Sequence, residues 1–155
     1  MAGGEITIRG AEPSDVGDLI ELLKALFTIE EDFAFNEEAQ GHGIELLLNG
    51  QGQERQVFVA ERNGKVFGMC SIQTLISTAE GGLVGLVEDV VVRDGYRGKG
   101  IGNALMEAVG SWARSHGLKR LQLLADRDNT PALQFYESRG WKVTRLICVR
   151  KVPVS

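Results

Sequence analysis

Cysteine, histidine and basic charge are all in short supply in this chain. Only two cysteines occur among its 155 residues, Cys70 and Cys148, far apart and each inside an apolar stretch. Such thiols read as buried core residues rather than as a disulfide pair or a nucleophile. The histidines, His42 and His116, stand in no His/Cys/Asp cluster with metal-ligand spacing, so no metal is expected. Lys and Arg number 17 against 21 Asp and Glu, a formal charge of −4. Nucleic acid is therefore not expected as a partner, because phosphate binding shows as a basic excess. No apolar run approaches the length of a membrane span, and Met1 to Glu5 lacks a charged n-region and an apolar h-region. Ala2 holds the place where myristoylation needs glycine. No membrane association is expected, and the cytoplasm is the expected compartment.

What is present suits a folded domain. Hydrophobic residues make up 43% and charged residues 25%, as in soluble globular proteins. The length fits a single domain over residues 1–155 with one sizeable core. Glycine is the notable excess, at 20 residues, and most of it separates periodic runs. Glu5 to Arg9 alternates as a first strand. Pro13-Ser14-Asp15 opens a helix, continued by Val16, Leu19, Ile20, Leu23 and Phe27 at helical spacing. Glu30 to Gln40 is acidic and irregular, and Gly43 to Leu48 reads as a short helix. Gln56 to Glu61 and Lys65 to Gln73 are strands about the hairpin dipeptide Asn63-Gly64. Leu83 to Arg93 is a long strand dense in valine. Ile101, Leu105, Val109 and Trp112 mark a helix that stops at Gly117. Leu121 to Leu124 is a short strand, Thr130-Pro131 starts a helix ended by Gly140, and Trp141 to Lys151 supplies a last strand or strand pair. The expected class is α/β, a mixed sheet flanked by helices in the order β-α-α-β-β-β-α-β-α-β.

The strongest signal runs from Val90 through Arg93-Asp94-Gly95-Tyr96-Arg97-Gly98-Lys99-Gly100-Ile101-Gly102, a strand entering a glycine-rich turn that opens a helix. Glycines at alternate positions let the backbone approach a ligand and aim free N–H groups at one point. The helix dipole adds attraction for an anion, and Arg97 and Lys99 supply cations beside it. A pyrophosphate would suit such a turn. The dinucleotide fingerprint fails on spacing, since the glycines fall as Gly-x-Gly-x-Gly late in the chain. A Walker A loop fails as well, because Gly98-Lys99 is followed by Gly100 rather than Ser or Thr.

Arg97-Gly98-Lys99-Gly100-Ile101-Gly102 resembles the Arg/Gln-x-x-Gly-x-Gly/Ala signature of the GNAT acyltransferase superfamily. Downstream, Asn129, Ala132, Phe135-Tyr136 and Gly140 resemble its Asn-x-x-Ala-x-x-Phe-Tyr segment. The resemblance implies the GNAT fold, a mostly antiparallel central sheet splayed to hold coenzyme A and flanked by helices. It implies acetyl-coenzyme A as co-substrate, lying between the Leu83–Arg93 and Leu121–Leu124 strands. The pantetheine arm would pair with backbone near Val90 and Val92, and the pyrophosphate would rest on Arg97, Gly98, Lys99, Gly100, Ile101 and Gly102. Asn129 and Tyr136 would reach the cofactor near its thiol.

Acetyl transfer to an amine needs a neutral amine and a proton for the leaving thiolate. An alkylamine has a pKa of roughly 10.4, so a carboxylate that accepts its proton is required nearby. Glu88 is the candidate base, with Asp89 as the fallback and as a substrate contact. Strand alternation places Glu88, Val90 and Val92 on one face, and Asp89 and Val91 on the other. Tyr136 is the candidate acid, through its phenol. His116 suits the end of its helix and is not assigned a catalytic role, while His42 is a weaker candidate for the acceptor pocket.

The resemblance also implies that the acceptor pocket is built between the first two helices, with help from the loop after Gln73. Glu30 to Glu38 carries five acids and two aromatics there, so Glu31, Phe33, Phe35 and Asp89 are expected to contact a cationic substrate. A polyamine, an amino acid or its derivative, or a lysine-bearing peptide would fit. A phosphorylated amino sugar is less expected, because that segment holds no cationic cluster. A small-molecule N-acetyltransferase is the leading expectation. Peptide or protein acetylation, and a non-catalytic acetyl-coenzyme A sensor, are the alternatives. A homodimer is expected to cover the edge left by the final strands.

Overall fold

The computed structural model describes residues 5–30 and 33–154. The chain forms two compact units, Met1–Leu123 and Leu124–Ser155. The first holds a five-stranded sheet: β1 (Thr7–Gly10), β2 (Arg55–Arg62), β3 (Lys65–Ser77), β4 (Gly82–Val92) and β5 (Leu121–Leu123), in that spatial order. The first three junctions are antiparallel. Asn63 (φ 54) and Gly64 (φ 80) both adopt the positive φ that a tight two-residue hairpin requires. β4 and β5 are parallel and therefore need a crossover, which helix α3 (Ile101–Ser115) provides.

A single 3-10 turn at Pro13–Asp15 leads into α1 (Val16–Ile29), and α2 (Glu37–Leu48) follows. The second helix is twelve residues long, twice the length that periodicity alone marks. Its start is set by Asn36, whose side chain accepts a hydrogen bond from Ala39 N at 3.0 Å. Glu37 and Glu38 then complement the dipole of the first turn. Leu19, Leu22 and Leu23 of α1 and Ile44 of α2 pack with Val57, Val59, Met69 and Val91 of the sheet. The residues of α3 buried in the unit include Ile101, Leu105 and Val109. Gly68 allows that helix close to the sheet: a Cβ there would lie 3.1 Å from Ile101 Cγ2 and 3.2 Å from Leu105 Cδ1.

One ion pair ties the entry to α1. Asp15 is 5% exposed and accepts hydrogen bonds from Arg9 at 2.7 and 3.0 Å and from Glu12 N at 2.7 Å. The Arg9 hydrogen bond holds its carboxyl below the usual range, against the opposing effect of burial. Asp15→Asn is expected to destabilise the protein by about 2–3 kcal/mol at pH 7, since Arg9 retains some solvent. A depressed folded pKa means that this stabilisation is present above the ordinary carboxylate range and is lost as pH falls through the folded value. Urea unfolding should therefore show a wild-type advantage at pH 7 that shrinks in acid.

The second unit contains α4 (Thr130–Glu137). The strand expected over Trp141 to Lys151 does not form: among the described residues no ladder includes it. Its β-branched pattern has the composition of a strand, but a strand needs a neighbour to take its backbone groups. Val143, Leu146, Ile147 and Val149 are accordingly exposed. Cys148 is exposed too, contrary to the expectation of a core thiol, whereas Cys70 is fully buried.

Candidate active site

The sheet departs from simple alternation at one place that matters chemically. Met69 pairs with Val91 and Ser71 with Glu88, so Asp89 and Val90 together oppose Cys70. This is a β-bulge, and Asp89 carries it with a φ of 55. Aspartate tolerates that left-handed conformation better than most residues. The bulge overturns the expected split of the two acids onto opposite faces. Glu88 pairs with Ser71, which shares a face with Gln73, and Gln73 and Asp89 line the same cleft. Both carboxylates thus belong to the face covered by α1 and α2. Glu88 is exposed on it, while Asp89 is half-buried.

The cleft has a volume of about 520 Å³. Leu23 and Phe27 of α1 and Ile44 and Leu47 of α2 form apolar walls; Arg55, Gln73 and Asp89 of the sheet supply polar groups, joined by Gln40 and Asn49. Burial raises the Asp89 pKa to about 7, and the like charges of Glu88 and Glu30 add to the shift. Behind it, the Cys70 thiol is pushed up to about 12 by burial and then by the charge of Asp89, which rules it out as a nucleophile near neutral pH.

The acidic segment before α2 is only partly engaged. Phe33 sits 5.6 Å from Phe27, a cleft residue, whereas Phe35 lies under Lys24 Nζ at 5.7 Å. Neither ring itself lines the cleft. Glu31 lies outside the described residues. His42 is exposed on α2 and is not part of the lining; His116 stacks on Trp112 at 3.8 Å.

β4 pairs with β5 only from Gly85 to Val87, because β5 ends at Leu123. Val90 and Val92 lie beyond that pairing, on the way to the glycine-rich turn. Gly95, Gly98 and Gly100 have φ values of 85, 76 and 82. A Cβ added at any of them would meet no protein atom within 4 Å. Gly100 is the N-cap of α3 and supplies no side-chain cap, so the first-turn N–H groups, from Ile101 and Gly102 onward, look for an acceptor outside the helix. Arg97 pairs with Asp94 at 3.0 Å but is half exposed, and Lys99 Nζ stands 5.3 Å over the Tyr96 ring. Tyr96 in turn rests 4.2 Å from Phe67, which anchors the turn to the sheet.

In the second unit, Asn129 caps α4 by accepting from Ala132 N at 3.3 Å. Tyr136 meets Phe135 and Trp141 edge-on, at 5.3 and 5.9 Å. The motif thus shapes this helix locally: Asn129 starts it and the aromatic pair closes its end.

Sequence inspection passed over Arg55 and Gln73. A signal existed for Arg55, since alternation along β2 puts it on the face of Val57 and Val59. Nothing in the sequence tied that face to Asp89, three strands away counting both ends.

This sheet, with its bulged acid and the open glycine-rich turn that leads into α3, is that of an acyltransferase. The profile of the Acetyltransferase (GNAT) family matches residues 18–141, and the chain belongs to that family. Its members generally take acetyl-coenzyme A as co-substrate. The chain is 30% identical over 144 residues to a glucosamine 6-phosphate N-acetyltransferase of Trypanosoma brucei brucei, covering 89% of this chain and 90% of that protein. It is 25% identical over 159 residues to an aminoglycoside N(6′)-acetyltransferase type 1 of Stenotrophomonas maltophilia, covering 100% and 98%. The crystal structure of glucosamine-6-phosphate N-acetyltransferase from Arabidopsis thaliana superposes with a TM-score of 0.76 at 25% identity, over 97% of this chain and 100% of that one.

Proposed function

We propose that this protein acetylates the primary amine of a small molecule, a polyamine or an amino acid or its derivative, with Asp89 as the general base. The observation that carries the proposal is the half-buried Asp89 carboxylate, which lines an apolar-walled cleft and titrates near neutrality. A base works best when its pKa lies near the operating pH. Asp89 is preferred to Glu88 because Glu88 is exposed and outside the cleft lining. Relatives named for glucosamine 6-phosphate and aminoglycosides favour a small acceptor over a peptide.

The turn fits acetyl-coenzyme A. Its glycines leave open space where a Cβ would stand, and the uncapped start of α3 and the cations of Arg97 and Lys99 suit a pyrophosphate. Gly98, Gly100, Ile101 and Gly102 would offer backbone to it, while Val90 and Val92 would face the pantetheine arm. When bound, the cofactor supplies the acetyl group as an activated thioester. Asp89 takes the proton of the incoming ammonium at a carboxylate oxygen, which leaves the amine neutral. Glu88 and Glu30 keep the field around the cleft negative and so draw the cation in. Tyr136 is assigned the role of proton donor to the thiolate, and Asn129 a place near the cofactor, on the strength of the motif alone.

The proposal extends to a cytoplasmic homodimer. The unpaired thiols Cys70 and Cys148 suit a reducing compartment, and the exposed Val143, Ile147 and Val149 are side chains that association would bury. Sedimentation equilibrium tests the dimer.

The central test is free-thiol release from acetyl-coenzyme A against polyamines, amino acids, amino sugars and lysine peptides. Release is expected with one class of small amine. Tyr136→Phe should slow it roughly tenfold or more. Tight cofactor binding without release on any amine would defeat the enzyme assignment in favour of a sensor.

A further inference from the structure

We infer that the acceptor carries an anionic group, a carboxylate or a phosphate, and that Arg55 holds that group at the opposite end of the cleft from Asp89. The inference rests on the acetyl-transfer proposal and names its substrate more closely.

Arg55, Gln73 and Asp89 line one cleft from one face of the sheet. Arg55 pairs with Gln73 across β2 and β3, and Asp89 stands on β4 opposite Cys70, three residues further along. Two strand spacings across and three residues along put the two Cα atoms on the order of 14 Å apart. Their side chains shorten that span from both ends. It leaves room for a molecule whose amine and anion are separated by several bonds, with its carbon skeleton against Leu23, Phe27 and Ile44.

The guanidinium has capacity for such a ligand. Nη1 donates to the Asn49 carbonyl at 2.6 Å, which fixes the side chain beneath the end of α2. Its ion-pair partner, Glu54, is 3.7 Å away with a side chain 79% exposed. Water screens a pair of that kind, so it competes weakly with a ligand anion. A guanidinium carries five N–H donors, and these contacts leave donors for a carboxylate or phosphate. Arg55 also lines the adjoining groove beside Thr74 and Leu83, so an anion reaches it from solvent. Of the acceptors proposed above, this arrangement keeps the amino acid or its derivative and drops the polyamine, whose second ammonium would stand against the arginine. Opposite charges at the two ends of the cleft select a zwitterion.

The test compares three acceptors of equal chain length: an ω-amino carboxylate, an aminoalkyl phosphate and the plain alkylamine. The wild type should show a higher kcat/KM for at least one anionic acceptor than for the alkylamine, and the better of the two identifies the group. Arg55→Gln should raise KM for that acceptor roughly 10–100-fold while leaving its kcat and the alkylamine KM nearly unchanged. Arg55→Lys should recover part of the loss. A purely structural arginine would alter all three acceptors alike. Should Arg55→Gln fail to fold, the wild-type series and calorimetric binding of the aminoalkyl phosphate still decide. Equal turnover of the alkylamine and both anionic acceptors would overturn this inference alone. Absence of transfer to every amine would overturn the acetyl-transfer proposal, and this inference with it.

Discussion

Asp89→Asn is expected to lower kcat for amine acetylation by roughly 10²–10⁴-fold, the usual contribution of a general base. Asparagine is the informative substitution here. It matches aspartate in size and tolerates the positive φ of 55 at the bulge, so the backbone need not move. The pH profile gives a second readout. As the proposed base, Asp89 would act as a carboxylate with a pKa of about 7, so wild-type kcat/KM should rise with pH below that value and level above it. The variant should lose that limb. Glu88→Gln removes a neighbouring like charge, so it should shift the limb to lower pH and keep most of the activity.

The same residue makes an opposite prediction for stability. Its folded pKa is raised, so the native state holds a proton that the unfolded chain has already released. Between the ordinary carboxylate value and about pH 7, wild-type stability therefore falls as pH rises, by at most about 1.4 kcal/mol per pH unit. Asp89→Asn removes that penalty. Its Tm should exceed the wild type's at pH 8, and the advantage should vanish near pH 4. A variant both less active and less stable at pH 8 would show that Asp89 holds the bulge together rather than serving a base's role.

The second large effect is expected at the turn. Gly100→Val should weaken acetyl-coenzyme A binding roughly 100-fold, equivalent to about 2.7 kcal/mol. Two contributions combine. A β-branched residue at φ 82 costs about 1–2 kcal/mol of backbone strain, which weakens binding to the extent that the free turn relaxes to a negative φ and must be driven back when the ligand binds. The remainder comes from space, because a Cβ here meets no protein atom and so intrudes where the pyrophosphate would lie. Arg97→Gln, which removes one exposed charge, should cost only about tenfold and lose its effect at high salt. Equilibrium dialysis with labelled acetyl-coenzyme A measures both. Undiminished binding by Gly100→Val would move the pyrophosphate away from α3.

The local elements of the first unit could be read from the residues because each depends on near neighbours. The Asn63-Gly64 hairpin, the strands beside it and the glycine stop of α3 are all set by backbone preference within a few positions. The start of α2 was equally local but easily overlooked, since Asn36 caps through a single side-chain contact inside a segment that reads as acidic loop. The two motifs likewise announce the family from sequence alone, because the turn bends through positive φ at Gly95, Gly98 and Gly100, which glycine adopts most readily.

The tertiary structure decided what those residues do together. Alternation put Glu88 and Asp89 on opposite faces; the bulge opposite Cys70 brought both to one, and only pairing with β3 creates a bulge. Burial under α1 and α2 then separated their environments, raising the Asp89 pKa toward neutrality and leaving Glu88 in solvent. Arg55 joined the same cleft through two successive strand pairings that no local pattern encodes. Trp141 to Lys151 shows the converse, since strand composition there produced no strand among the described residues. The sequence by itself determined the family, the glycine-rich turn and the kinds of group available. The fold decided which carboxylate titrates near neutrality, because a pKa depends on what surrounds a group in space rather than on what adjoins it in the chain.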